Sequence, residues 1–158
     1  MVLFCGLSLT ACISSNSALP EGYDGMVAGV EDSFVKVSDG VTHYFCVATV
    51  DGKDVDNLLE VTRELRQNPV GYGREVVASK AIHLEIFGVE DRQPPIVAMF
   101  NKSRRVSGSV TFTPEHGTTY SVRGKITTER LEVWIEETMT GKIVTQIVQA
   151  GTHNTNPQ

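Results

Sequence analysis

Apolar and polar residues alternate along most of the chain after Tyr23, which is typical of strands with one buried and one exposed face. The clearest alternation covers residues 106–112, 120–126, 131–136 and 143–148. Pro114, Gly117 and Gly141 lie in the connections between these segments, where they favour chain reversals. The pattern therefore predicts an antiparallel meander in the second half of the chain.

The first half predicts further strands. Residues 44–50 are apolar almost throughout, as in a central strand that is covered on both faces. Residues 81–87 alternate again, and residues 26–30 and 33–37 are shorter candidates. We therefore predict a mainly β fold, an antiparallel β-sandwich of about seven or eight strands with one short helix.

The one predicted helix begins near Asn57. Asn57 and Glu60 have the spacing of a capping box, and residues 58, 61, 62 and 65 form a stripe at helical spacing. Pro69 disfavours helical backbone at Asn68 and should end the helix there. A second, shorter helical turn is predicted at residues 96–101, after two prolines.

Composition and charge exclude some functional classes for this chain. The chain has 158 residues, 41% hydrophobic and 21% charged, which is ordinary for one globular domain. Its formal net charge of −5 argues against nonspecific nucleic-acid binding, which depends on clustered Lys and Arg. Its apolar runs are shorter than the roughly 20 residues of a membrane-spanning helix.

The first twelve residues end in Leu9-Thr10-Ala11-Cys12 after an apolar stretch. This segment resembles the signal peptide and lipobox of bacterial lipoproteins. The resemblance implies a signal peptide over residues 1–11, cleavage between Ala11 and Cys12, and a lipid on the Cys12 sulfur. A signal peptide normally opens with basic residues and none precedes Lys36, so we expect the translation start to lie upstream. The alternative is that residues 2–9 form an N-terminal strand.

Residues 12–24 are predicted to be a lipidated tether, because they are rich in Ser, Asn, Pro and Gly. The domain is predicted over residues 25–150, with a flexible tail at 151–158. Ile13 follows Cys12 where an Asp would favour inner-membrane retention, so the lipoprotein resemblance implies the outer membrane of a bacterial envelope. Residues 110–144 resemble small periplasmic lipoprotein domains of immunoglobulin-like or transthyretin-like type.

Trp134 is the side chain that best suggests a binding surface. Alternation places Trp134 with Glu132 and Glu136, on the opposite face from residues 131, 133 and 135. An aromatic ring among carboxylates could contact a sugar, a peptide or a protein. The alternative is that the helix or a loop covers Trp134 as part of the core.

Other candidates favour structural roles. Cys46 lies in an apolar segment and is expected to be a core residue rather than a reactive thiol. The group Asp51, Asp54 and Asp56 lacks the spacing of an EF-hand and is expected to form a turn and a helix cap. Basic residues cluster at 102, 104 and 105, where a solvated strand end is favoured over contact with anionic headgroups.

The histidines lie at positions 43, 83, 116 and 153. His83 and Glu85 form a minimal ligand pair on one strand face, but an exposed polar pair is the favoured interpretation. No phosphate loop, nucleophile elbow or zinc-protease motif occurs in the sequence. The sequence therefore assigns no catalytic residue, metal or cofactor.

Three functional hypotheses remain. The first is a lipid-anchored, non-catalytic binding or structural component of a periplasmic or outer-membrane assembly. It involves the membrane and an envelope protein partner, and it leaves the oligomeric state open. The second is a lipid-anchored hydrolase or carbohydrate-active enzyme whose site is dispersed over loops. The third is a cytosolic β domain that is never exported.

Overall fold

The structure, a computed structural model, describes residues 18–66, 68–93 and 103–150. The predicted signal peptide, Cys12, the second helical turn and the C-terminal tail lie outside these ranges. Nine strands and one helix are present in the described part of the chain. In chain order they are β1 (Val27–Ser38), β2 (Val41–Val50), β3 (Lys53–Asp54), α1 (Leu58–Leu65), β4 (Tyr72–Val77), β5 (Ile82–Arg92), β6 (Arg105–Phe112), β7 (Thr119–Ile126), β8 (Leu131–Glu137) and β9 (Val148–Ala150).

The strands form one mixed, nearly closed, barrel-like sheet in the order β6-β5-β2-β1-β7-β8-β9, with β3 on β2 and β4 on β1. The mainly β prediction with one short helix is confirmed. The prediction of a purely antiparallel sandwich is wrong, because β1 pairs with β7 in parallel through residues 29–31 and 119–121.

The length of β1 explains this difference. Its first half pairs with β4, and its second half pairs with β2. One strand of 12 residues therefore belongs to both halves of the sheet and bends it towards closure. The two outer strands of the sheet, β6 and β9, meet where Val148 of β9 packs on Gly108 of β6. A side chain at position 108 would block this contact.

The core fills the inside of the barrel. The fully buried side chains there include Val30, Val47, Leu84, Ile86, Val110, Val122, Val133 and Ile135. The Phe45 ring lies against Gly88 and Gly124, and a Cβ at Gly124 would overlap that ring and the carbonyl oxygen of Glu132. Glycine at position 124 therefore lets an aromatic ring fit between the two halves of the sheet.

The helix α1 covers a second apolar cluster on the outer side of β2 and β5. Leu58 and Leu59 pack there with Tyr44, Cys46, Phe87 and Val89. The predicted N-cap is confirmed, since Asn57 Oδ1 accepts a hydrogen bond from the Glu60 backbone N at 3.2 Å. The helix ends at Leu65, earlier than predicted, where Arg66 takes a left-handed conformation.

The strand predicted at residues 143–148 is mostly absent. Ile143 forms an isolated bridge with Glu136, and the regular strand β9 begins only at Val148. Between them the Thr145 hydroxyl accepts a hydrogen bond from the Ile135 backbone N at 3.1 Å. A side-chain oxygen thus replaces a strand carbonyl and interrupts the ladder, which alternation alone does not reveal.

Asp32 and Arg74 form a buried ion pair at the point where β1 leaves β4 and joins β2. Arg74 donates to both Asp32 carboxylate oxygens at 2.8 and 2.7 Å, and the two side chains are 7% and 0% exposed. The same carboxylate accepts from the backbone N of Val47 at 3.0 Å and of Leu58 at 2.9 Å. Asp32 therefore links β1, β2, β4 and the start of α1.

We predict that Asp32→Ala lowers the free energy of unfolding by about 3–5 kcal/mol, because it leaves a buried guanidinium without its counter-ion. Urea unfolding followed by circular dichroism measures this change. Asp39→Ala is the matched control, since the Asp39–Lys36 pair lies at the surface and should contribute little. Equal midpoints for Asp32→Ala and the wild type would contradict this role for the buried pair.

Candidate functional site

Trp134 lies on the outer face of β8, between strand residues that point into the core. Val133 and Ile135 are fully buried, whereas Glu132, Trp134 and Glu136 are partly exposed. The Trp134 indole Nε1 donates a hydrogen bond to Glu136 Oε2 at 3.0 Å. The ring is thus fixed on the outer surface by its own strand, on the face that alternation predicts.

Polar side chains from the two neighbouring strands surround Trp134. Arg123 is its cross-strand neighbour on β7, and Arg123 Nε lies 3.4 Å from Glu136 Oε1. On β9, Gln149 Nε2 donates to Glu132 Oε1 at 3.1 Å. These pairs hold the charged groups beside the ring and limit their rotation.

Two exposed isoleucines lie on the segment that follows β8. Ile143 forms an isolated bridge with Glu136, and Ile147 immediately precedes Val148, which pairs with Val133. Each isoleucine is 42% exposed. We call this surface the Trp134 face, made of Arg123, Glu132, Trp134, Glu136, Ile143, Ile147 and Gln149.

The Trp134 face combines a partly exposed indole ring, two exposed isoleucines and paired polar side chains. The helix α1 packs on the cluster over β2 and β5, which includes no residue of β8. The sequence indicates Trp134 and its two acids, but it does not indicate that Arg123 and Gln149 flank them, because that depends on strand register.

A second group of charges lies at the end of the barrel where β2 begins. Glu90 is buried and accepts from Arg92 Nε at 2.9 Å, and its Oε2 lies 3.3 Å from His43 Nε2. Asp91 accepts from Arg63 of α1 at 2.6 Å. Arg105 of the predicted basic cluster stacks over the Phe87 ring. These contacts join α1, β2, β5 and β6 at the end of the barrel.

A third group lies on the exposed part of the β5–β6 surface. His83 Nδ1 lies 3.0 Å from Thr111 Oγ1, and the Ser109 hydroxyl donates to Glu85 Oε1. His83 Nε2 is 3.8 Å from the same Glu85 oxygen. Within the described residues no three His, Cys, Asp or Glu side chains converge as a metal cluster.

The remaining candidates have structural surroundings. Cys46 is buried under α1, and this burial raises the pKa of its thiol, which opposes formation of a reactive thiolate. Asp51 accepts from the His83 backbone N at 2.8 Å, with a left-handed backbone at Asp51 itself. The carbonyl oxygen of Asp56 accepts from Arg74.

A small cavity of about 190 Å³ lies at the opposite end of the barrel from Glu90. Its lining includes Ala18, Val50, Asp51, Lys53 and Ile82. This volume is below the usual range for small-molecule sites. Within the described ranges no helix is long and apolar enough to cross a membrane.

Comparison with known proteins finds no matching family model, no matching curated protein and no matching solved structure.

We predict that Glu90 contributes stability at neutral pH and loses it in acid. Burial alone would raise the Glu90 pKa, but hydrogen bonds from Arg92 and His43 outweigh it and hold the pKa below its ordinary value of 4.5. A carboxyl group with a lowered pKa stabilises the fold above that value and loses this effect as the pH falls through the folded pKa. Urea midpoints of the wild type and Glu90→Gln should therefore differ at pH 7 and converge below pH 4.5. A difference that stays constant across this range would contradict the prediction.

Proposed function

We propose that this protein is anchored by a lipid on Cys12 in a bacterial envelope, with the outer membrane favoured, and is a non-catalytic binding or structural component of an envelope assembly. The observation that carries the proposal is the Trp134 face. It combines an aromatic centre, two exposed isoleucines and a rim of paired charges, which is the composition of a protein contact surface.

The position of Ala18 supports a short anchor. Ala18 packs against the barrel core and lines the cavity beside Val50 and Ile82. Five residues separate Cys12 from Ala18, so the connecting chain spans at most about 20 Å when extended. A lipid on Cys12 would therefore keep this end of the barrel close to the bilayer.

The buried carboxylates are already bonded to partners within the fold, which supports a binding role over a catalytic one. Asp32 is fully bonded to Arg74 and to two backbone N–H groups, and Glu90 is bonded to Arg92. Charges held in this way stabilise the fold, and neither carboxylate lines the cavity beside Val50. The Trp134 face, by contrast, keeps exposed apolar side chains at Ile143 and Ile147.

The anchor predicts the cellular fractionation of the protein. We expect Cys12→Ala to move the protein from the membrane fraction to the soluble fraction in its native host, because the thiol is the group that carries the lipid. Cys46→Ala is the matched control, since this thiol is buried and should not affect membrane association. Unchanged fractionation of Cys12→Ala would refute the anchor.

The Trp134 face predicts a discrete protein partner. We expect a partner that co-purifies with the detergent-extracted wild type to be lost from Trp134→Asp, because the substitution places a charge at the apolar centre. Met139→Asp is the control, since Met139 is exposed on the β8–β9 connection but lies outside the face. Circular dichroism checks that both variants are folded. Equal recovery of the partner with both variants would rule out this face.

A further inference from the structure

Among the described residues, His83 and Glu85 are an exposed pair of metal-ligand side chains that converge from one strand, and the proposed binding role leaves them unused. They lie two residues apart on β5, and their side chains are 51% and 43% exposed. Their cross-strand partners on β6 are Thr111 and Ser109. The four side chains form a small polar group on a surface that α1 leaves open.

We propose that His83 Nε2 and a Glu85 carboxylate oxygen bind a divalent transition metal ion of the zinc class, with water completing the coordination. This proposal departs from the exposed polar pair that the sequence favours. It does not depend on the lipid anchor or on the Trp134 face.

The distance between the two ligand atoms supports the proposal. His83 Nε2 and Glu85 Oε1 are 3.8 Å apart, which is too long for a hydrogen bond. Two ligand atoms about 2.1 Å from a tetrahedral zinc ion lie roughly 3.4 Å apart. A small rotation of the Glu85 carboxylate therefore suffices to bring both atoms onto one ion.

The hydroxyl groups on β6 orient both ligands. His83 Nδ1 lies 3.0 Å from Thr111 Oγ1, which suits the tautomer in which Nδ1–H donates to the hydroxyl, and in that tautomer the Nε2 lone pair is available to a metal. The Ser109 hydroxyl donates to Glu85 and limits rotation of its carboxylate. Outer-sphere hydrogen bonds of this kind fix the tautomer and orientation of metal-bound histidine.

The surrounding backbone and charge also favour a cation. The Asp51 carboxylate accepts from the backbone N of His83 and adds negative charge beside the pair. Both ligands belong to paired strands, so little backbone ordering is needed when the ion binds. Imidazole nitrogen with carboxylate oxygen is a donor set that zinc accepts.

Titration of the full chain with Zn²⁺ by isothermal calorimetry tests the site. All proteins carry Cys5→Ser and Cys12→Ser, because free thiolates would bind zinc themselves. We expect His83→Ala and Glu85→Gln each to weaken zinc binding at least tenfold. Thr111→Val should weaken it by about tenfold while leaving both ligands in place.

His116→Ala is the matched control. His116 is exposed and, like His83, has Nδ1 near an oxygen, in this case the Val27 carbonyl at 3.1 Å. It has no carboxylate within ion-pair distance in the described part of the chain. Its removal should leave zinc binding unchanged, and the His83 ring nitrogen signals should shift with zinc in the NMR spectrum of the control. The proposal is overturned if the wild type shows no saturable zinc binding, or if His83→Ala binds as tightly as His116→Ala.

Discussion

The carboxylate of Asp32 is the group on which the rest of the architecture depends. β1 must leave β4 and join β2, and at that point two backbone N–H groups lack ladder partners. The N–H of Val47 lies beside a register shift in β2, and the N–H of Leu58 opens α1. One carboxylate accepts from both, and Arg74 of β4 neutralises its charge. The change of partners along β1 is therefore stabilised by hydrogen bonds to a side chain.

The arrangement of the outer surfaces follows from this change of partners. The first half of β1 pairs with β4 along one edge and with β7 along the other, and β7 carries β8 with Trp134 on the outer side. On the other half of the sheet, α1 is held over β2 and β5 by its bond to Asp32, and it covers the apolar part of that surface. The Trp134 face and the polar group around His83 lie outside the surface that α1 covers.

The pattern of neighbouring residues in the sequence predicted local structure well, but it predicted contacts between distant segments poorly. The cap at Asn57, the alternation in β8 and the burial of Cys46 are readable from neighbours in the sequence. The Asp32–Arg74 pair joins residues 42 positions apart, and nothing near Asp32 indicates that its carboxylate is buried. The parallel pairing of β1 with β7 is equally non-local. The positions of Arg123 and Gln149 beside Trp134 depend on the register between paired strands, so the sequence pattern could not predict them.

A buried ion pair often stabilises a fold no better than apolar side chains of the same size. Asp32 and Arg74 differ from that general case, because the carboxylate also satisfies two buried backbone donors. Replacing both side chains with apolar residues would leave the N–H groups of Val47 and Leu58 without acceptors, at about 1–3 kcal/mol each. Among the described residues Arg74 Nε has no hydrogen-bond partner, so the guanidinium is not optimally bonded. The pair therefore stabilises the point at which β1 changes partners, because its carboxylate also satisfies these two backbone donors.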